Sequence, residues 1–185
     1  MMLAGGASRR MGQDKASISI HGVAMGQRIV NALSEAGLPV TVLGGPRLIG
    51  ASYIEDARPL SGPLGALSGF VPTAEWVFVC SCDLPLFDPE VLGLLASEIE
   101  DHDGAVPVIA GRAQPLCALY TGSAIQTARL VFESGRSSVM AWLDRLVWVG
   151  VNEAQFEIHR ISPWSACGVN TQEELKDALR RTGLQ

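Results

Sequence analysis

Apolar positions along this chain change period several times, and each change predicts an element. Ile29, Val30, Leu33 and Ala36 recur at helical spacing, so residues 26–36 are expected to form an amphipathic helix that Gly37 ends. The β-branched run PVTVL predicts a strand over 39–43, and residues 51–54 predict another. A short helix is expected over 64–70, after the turn Ser61-Gly62-Pro63. WVFVC (76–80) is apolar throughout, the pattern of a strand buried on both faces of a parallel sheet. Asp88 as N-cap with Pro89 at the first helical position predicts a helix to about residue 99.

Strands are expected next over 105–109 and 116–120, then helices over 122–133 and 137–146, the second capped by Ser137. A strand over 147–151 follows. Thr171 with Glu174 three residues on is a capping box that opens a final helix to Arg181. Repeated β-α units with short loops predict an α/β fold, a three-layer α/β/α sandwich around a mostly parallel sheet. With no repeat, linker or low-complexity segment, one domain over residues 1–185 is expected.

Composition narrows the picture. The chain is 48% hydrophobic and 18% charged, which is globular and not disordered. No apolar run reaches the roughly eighteen residues that span a bilayer, and no secretion signal is legible, so a cytoplasmic protein without membrane contact is expected. The formal net charge of −5 argues against nucleic acid as a partner, but not against a small anion. Cys80 and Cys82 are spaced C-x-C without the second pair of a zinc site; with Cys117 and Cys167 they read as reduced core or lining thiols. His21, His102 and His159 stand apart and point to no catalytic set.

In such folds ligands bind beyond the carboxyl ends of the strands, which directs attention to three loops. The first, AGGASRRMGQDK, follows a very short strand. Gly5, Gly6 and Gly12 let backbone N–H groups approach a phosphate, and Arg10 and Lys15 can add charge-assisted hydrogen bonds. The spacing fits neither G-x-x-x-x-G-K-[ST] nor G-x-G-x-x-G, and the second absence argues against a dehydrogenase. In the third loop, CSCDLPLF, Asp83 sits just past the buried strand. It is well placed to hold Mg²⁺ beside nucleotide phosphates, or it caps the following turn. In the second loop Asp56 either meets a base or ribose or caps a turn. Gly62-Pro63 is a rigid turn whose following N–H groups, from Leu64 on, can face a purine.

The blocks LAGGASRRMGQDK, IED, GPLGAL, CSCDLPLF, GRSSVMAWL and GVNTQEEL, in this order, resemble the molybdenum cofactor guanylyltransferases from Met2 to about Leu175. The first block is similar to that of the wider nucleotidyltransferases, whose sheet is Rossmann-like, of the nucleotide-diphospho-sugar transferase type. GPLG and NT-x-EEL narrow the likeness to the molybdopterin branch, and GPLG to its guanylyl side. The resemblance implies transfer of GMP from GTP to the terminal phosphate of molybdopterin, with release of pyrophosphate and with Mg²⁺ as cofactor. It implies that Leu3, Ala4, Gly5 and Gly6 line the guanosine site together with the Gly62-Pro63-Leu64 turn. It implies that Lys15 contacts phosphate, Asp56 the nucleotide and Asp83 the metal, and that Asn170 and, more weakly, Arg136 lie on the pterin side. Transient contact with other proteins of molybdenum cofactor biosynthesis is implied as well.

Two departures stand out. The first strand is cut to Met1-Met2-Leu3, where a weaker fold is expected, and Gly168 stands where the family often has asparagine. The nucleophile implied is a phosphate monoester, already anionic at neutral pH, so catalysis by positioning and charge neutralisation is expected, with Arg10, Lys15 and Asp83 as its agents. A cytidylyl or sugar-phosphate nucleotidyltransferase and a non-catalytic nucleotide sensor remain as alternatives.

Overall fold

The computed structural model describes residues 1–5 and 15–181. Along the chain it runs β1 (Met2–Leu3), a 3-10 turn (Lys15–Ser17), β2 (Ser19–Ile20), β3 (Val23–Ala24), α1 (Met25–Glu35), β4 (Thr41–Leu43), β5 (Ser52–Ile54), α2 (Gly62–Ser68) and β6 (Trp76–Ser81). There follow α3 (Val91–Glu98), β7 (Gly104–Ile109), β8 (Arg112–Ala113), β9 (Cys117–Thr121), α4 (Gly122–Glu133) and α5 (Val139–Leu143). The chain continues through β10 (Trp148–Asn152), α6 (Glu153–Ile158), a second 3-10 turn (Pro163–Ala166) and α7 (Gln172–Arg181).

The main sheet has the order β10-β7-β9-β6-β1-β4-β5, with β8 paired to β7. It is mostly parallel; β9 runs antiparallel to both β6 and β7. Side chains alternate across the strands and both faces are covered. Met2, Val42, Phe78 and Cys80 point to a core built with α1, α3 and α6. Their neighbours Leu3, Leu43, Val77 and Val79 point to a second core built with α2, α4 and α5. The result is the three-layer α/β/α sandwich. No helix among the described residues is long and apolar enough to cross a membrane.

β1 is only two residues long, yet it lies between β4 and β6. Backbone bonds continue past its ends: Cys80 N–H donates to Met1 O (3.0 Å), Cys82 N–H to Leu3 O (3.0 Å) and Ala4 N–H to Leu43 O (3.1 Å). The two-residue strand therefore keeps a central place, because its neighbours supply partners beyond its own length.

Several elements differ from the sequence expectation. α3 begins at Val91, not after Asp88; the Asp88 carboxylate accepts from Glu90 N–H at 3.0 Å and closes a turn ahead of the helix. The helix expected over 137–146 is the shorter α5, with Ser138 as its N-cap and no side-chain capping bond. α6 went unread because it is short and buries one residue, Phe156, although Asn152 and Gln155 form a full capping box. The β2–β3 hairpin turns through His21 and Gly22, both at positive φ; its two-residue strands are too short to show a period.

The cysteines are free. Cys80, Cys82 and Cys117 are buried and Cys167 is half-buried. Burial pushes the Cys80 thiol up to about 12 and Cys117 well above its ordinary value, so both pack as neutral thiols.

Trp142 tests the second core. It is fully buried, its indole N–H donates to Thr127 Oγ1 (3.0 Å) and Ala124 O (3.2 Å), and its ring lies 4.7 Å from that of Tyr120. Trp142→Ala should lower the unfolding free energy by about 3–5 kcal/mol in a urea titration. Leu130→Ala, on the exposed side of α4, should change it by less than about 0.5 kcal/mol.

Candidate functional site

Three distant segments meet at one ammonium group. Lys15 opens the first 3-10 turn, Asp83 lies two residues past β6, and Val169-Asn170 precede α7. Lys15 Nζ donates to Asp83 Oδ2 (2.8 Å), Val169 O (2.9 Å) and Asn170 Oδ1 (3.0 Å). The Lys15 and Asp83 side chains are each 17% exposed, so the pair is partly desolvated. The other Asp83 oxygen, Oδ1, accepts from the Ser81 hydroxyl, and Val169 N–H donates to the Asp83 carbonyl at 2.9 Å.

Gly168 has a steric role here. A Cβ on it would lie 2.9 Å from Asp83 Oδ1, closer than real Cβ atoms come, so a side chain would force the carboxylate to shift. α7 holds the next residue but one. Thr171 Oγ1 accepts from Glu174 N–H at 3.1 Å, while the Glu174 carboxylate accepts from the N–H of Asn170 rather than that of Thr171. The expected capping box thus spends its second half on orienting Asn170.

Two pockets open on either side of this knot. One, of about 430 Å³, is lined by Leu3, Ala4, Gly5 and Lys15, by Asp56, Leu60, Gly62 and Pro63, and by Ala66, Cys82 and the shared wall. The other, of about 410 Å³, takes in Leu84, Gln114 and the segment from Ser137 to Met140. Pro63, Ser81, Asp83, Leu116 and Asn170 line both. Leu116 reaches the wall because β9 runs antiparallel to β6, which brings its start to the carboxyl end of β6; Leu116 O accepts from Ser81 N–H at 2.8 Å. No histidine lines either pocket.

The first pocket therefore gathers Leu3, Ala4, Gly5, Lys15, Asp56, Gly62, Pro63, Asp83 and Asn170 from the residues singled out in the sequence. Leu64 is placed differently: it is fully buried and packs in the second core, because it faces the sheet from the first turn of α2. Arg136 is exposed on the connection between α4 and α5 and lines neither pocket, although Ser137 next to it lines the second. Gly6 and Arg10 lie outside the described residues.

Asp56 does form a turn, since its Oδ1 accepts from Arg58 N–H at 2.8 Å. Its Oδ2 points towards Gly5, 3.7 Å from where a Cβ on that glycine would be. The Gly44-Gly45 pair was missed in the sequence. Gly45, at φ +65°, packs so tightly that a Cβ would fall 2.4 Å from Ala4 O. A double glycine directly after a strand was the available signal. Ser81 was also missed, and a lone serine at a strand end carries no signal of its own.

Among the described residues no three His, Cys, Asp or Glu side chains converge on a metal position. The Asp83 carboxylate and the Asn170 amide oxygen are, however, hard oxygen donors on the shared wall. One carboxylate with open space beside it suits Mg²⁺, which keeps several waters and is completed by substrate phosphates.

Comparison with known proteins gives the chain its family. The model of the MobA-like NTP transferase domain matches residues 1–147. A probable molybdenum cofactor guanylyltransferase of Pelotomaculum thermopropionicum is 32% identical over 158 residues, covering 82% of this chain and 76% of that one. Another, from Bacillus cytotoxicus, is 27% identical over 192 residues, covering 97% and 94%. The solved structure of molybdopterin-guanine dinucleotide biosynthesis protein A from Archaeoglobus fulgidus superimposes with a TM-score of 0.81 at 20% identity, covering 100% of this chain and 98% of that one, and shares the fold. A match of the family model over most of the chain, with the site assembled at the strand ends, leads to one conclusion: the chain belongs to the MobA-like NTP transferase family and is a nucleotidyltransferase.

Proposed function

We propose that the protein transfers GMP from GTP to the terminal phosphate of molybdopterin and releases pyrophosphate. The observation that carries this reading is the wall of Ser81, Asp83 and Asn170 common to two pockets of similar size. A group-transfer site needs two ligands to meet at one set of polar groups, and this wall, with the Lys15 ammonium bonded to Asp83 and Asn170, offers that arrangement. The names of the relatives from Pelotomaculum and Bacillus support the choice of nucleotide and acceptor.

In this reading GTP lies in the pocket of Gly5, Lys15 and Asp56, which crosses the ends of β6, β1, β4 and β5. Three strand spacings give about 14 Å, enough for a nucleotide from its phosphates to its base. Molybdopterin enters the pocket of Gln114 and Ser137–Met140, so that its phosphate meets the α-phosphate of GTP at the wall. An oxygen of the molybdopterin phosphate attacks the α-phosphorus; the new P–O bond forms as the α–β bridging P–O bond breaks, and pyrophosphate carries away the electron pair. The attacking oxygen bears no proton to remove at neutral pH, consistent with pockets that no histidine lines.

Asp83 would hold Mg²⁺, which would neutralise charge on the phosphate oxygens when bound. Lys15 supplies a fixed positive charge on the triphosphate side, and Arg10 is assigned the same task. Asn170 borders the acceptor, with Arg136 at the rim of that side. All these parts fall to one domain. A cytoplasmic location and passing contacts with other proteins of the cofactor's synthesis accord with this activity.

The reading is tested by incubating the protein with Mg²⁺, molybdopterin and each common NTP in turn. Dinucleotide should form with GTP alone; product with CTP would reassign the base, and no product from a folded sample would refute the transferase chemistry proposed. Asp83→Asn should lower turnover by about 10²–10³ while the far-UV spectrum is unchanged. Near-wild-type turnover would remove the carboxylate from catalysis. Lys15→Ala should depress turnover more than it depresses affinity for free guanosine, read by calorimetry. Equal losses would count against a phosphate contact.

A further inference from the structure

We propose that Leu60 is the apolar wall against which the nucleobase of the bound nucleotide packs. The inference rests on the nucleotide reading of the pocket and adds a residue to it. Leu60 is 78% exposed and stands among the residues lining the pocket. Its backbone lies at φ +66°, in the left-handed region where a Cβ crowds the neighbouring carbonyl. A large apolar side chain held in water, on a backbone that glycine or asparagine would adopt more readily, is unfavourable twice over. Contact with a flat apolar ring would offset both costs.

The strained turn is held from several sides. Arg58 N–H donates to Asp56 Oδ1 (2.8 Å), and the Arg58 carbonyl accepts from Ser61 N–H (3.2 Å) and from the Ser61 hydroxyl. The Arg58 guanidinium sits 4.8 Å from the centre of the Phe132 ring and 3.7 Å from Glu133 Oε1, which ties the turn to α4. Gly65 makes room: a Cβ there would fall 1.8 Å from Ser61 Oγ, so the glycine of GPLG admits the hydroxyl that closes the turn. Leu60 is thus presented on a rigid mount.

Position completes the case. Lys15 and Asp83 mark the phosphate end of the pocket, while Leu60 and Asp56 come from the loop after β5, at the sheet edge three strands from β6. With phosphates at the charged end, the ring lies at the other. There Leu60 supplies an apolar face and Asp56 Oδ2 a hydrogen-bond acceptor for ring N–H groups.

The test is calorimetric titration of wild type, Leu60→Met, Leu60→Asn and Leu60→Gly with GTP and with pyrophosphate, each with Mg²⁺. Leu60→Met keeps the apolar contact and should bind GTP as wild type does. Leu60→Asn suits the left-handed backbone but is polar, and Leu60→Gly removes the side chain. Both should bind GTP about tenfold more weakly, equivalent to about 1.4 kcal/mol, with pyrophosphate affinity unchanged and a thermal midpoint no lower than that of wild type. GTP binding by Leu60→Asn at the wild-type level would overturn the proposal, since a loss confined to Leu60→Gly would trace to the stiffness of the turn. Equal weakening for pyrophosphate would overturn it too. Failure of the wild type to bind GTP refutes the nucleotide reading itself and is visible without any variant.

Discussion

The ammonium of Lys15 and the carboxylate of Asp83 form the contact on which the site depends. Held at 2.8 Å, the pair joins the start of the chain to the end of β6, and Lys15 also takes the Val169 carbonyl and the Asn170 amide oxygen. Most of the apolar core is indifferent to this knot. The strand-end surface is not: without it the C-terminal segment ahead of α7 would have fewer bonds to the first loop, and the wall between the two pockets would lose one of its sides. A half-buried ion pair with several hydrogen-bond partners is costly to break from one side, because the remaining charge stays desolvated.

Missing side chains shape the surface around that knot as much as charges do. Gly168 leaves space for the Asp83 carboxylate, Gly45 for the Ala4 carbonyl and Gly65 for the Ser61 hydroxyl. Each lets a polar group approach where a methyl group would stand in the way. Gly45 and Gly168 lie on loops and Gly65 in the first turn of α2, but all act on the same end of the sheet. The glycines therefore shape the pocket through packing at its back, in addition to whatever their N–H groups offer a ligand.

Strand direction matters for the same reason. A wholly parallel sheet would carry the start of β9 to the far end of the molecule. Antiparallel pairing with β6 and β7 instead delivers Gln114, Leu116 and the β9 entry to the site. The second pocket owes a wall to this reversal, and α5 with its preceding turn supplies the opposite wall from the other layer.

The sequence by itself determined the α/β alternation, the strand WVFVC, the exact span of α4 and the loops at the strand ends that place Lys15 and Asp83 in the pocket. Those features are local: periodicity, capping residues and glycine content act within a few positions and survive any tertiary arrangement. Only the tertiary structure decided that β9 runs backwards, that Leu64 faces the core while Leu60 faces the pocket, and that Gly65 serves Ser61. It also decided that Lys15 meets Asp83 across 68 residues and Asn170 across 155. Strand direction, side-chain facing and contacts over such separations depend on which layers close over which faces, and no window of neighbouring residues contains that information.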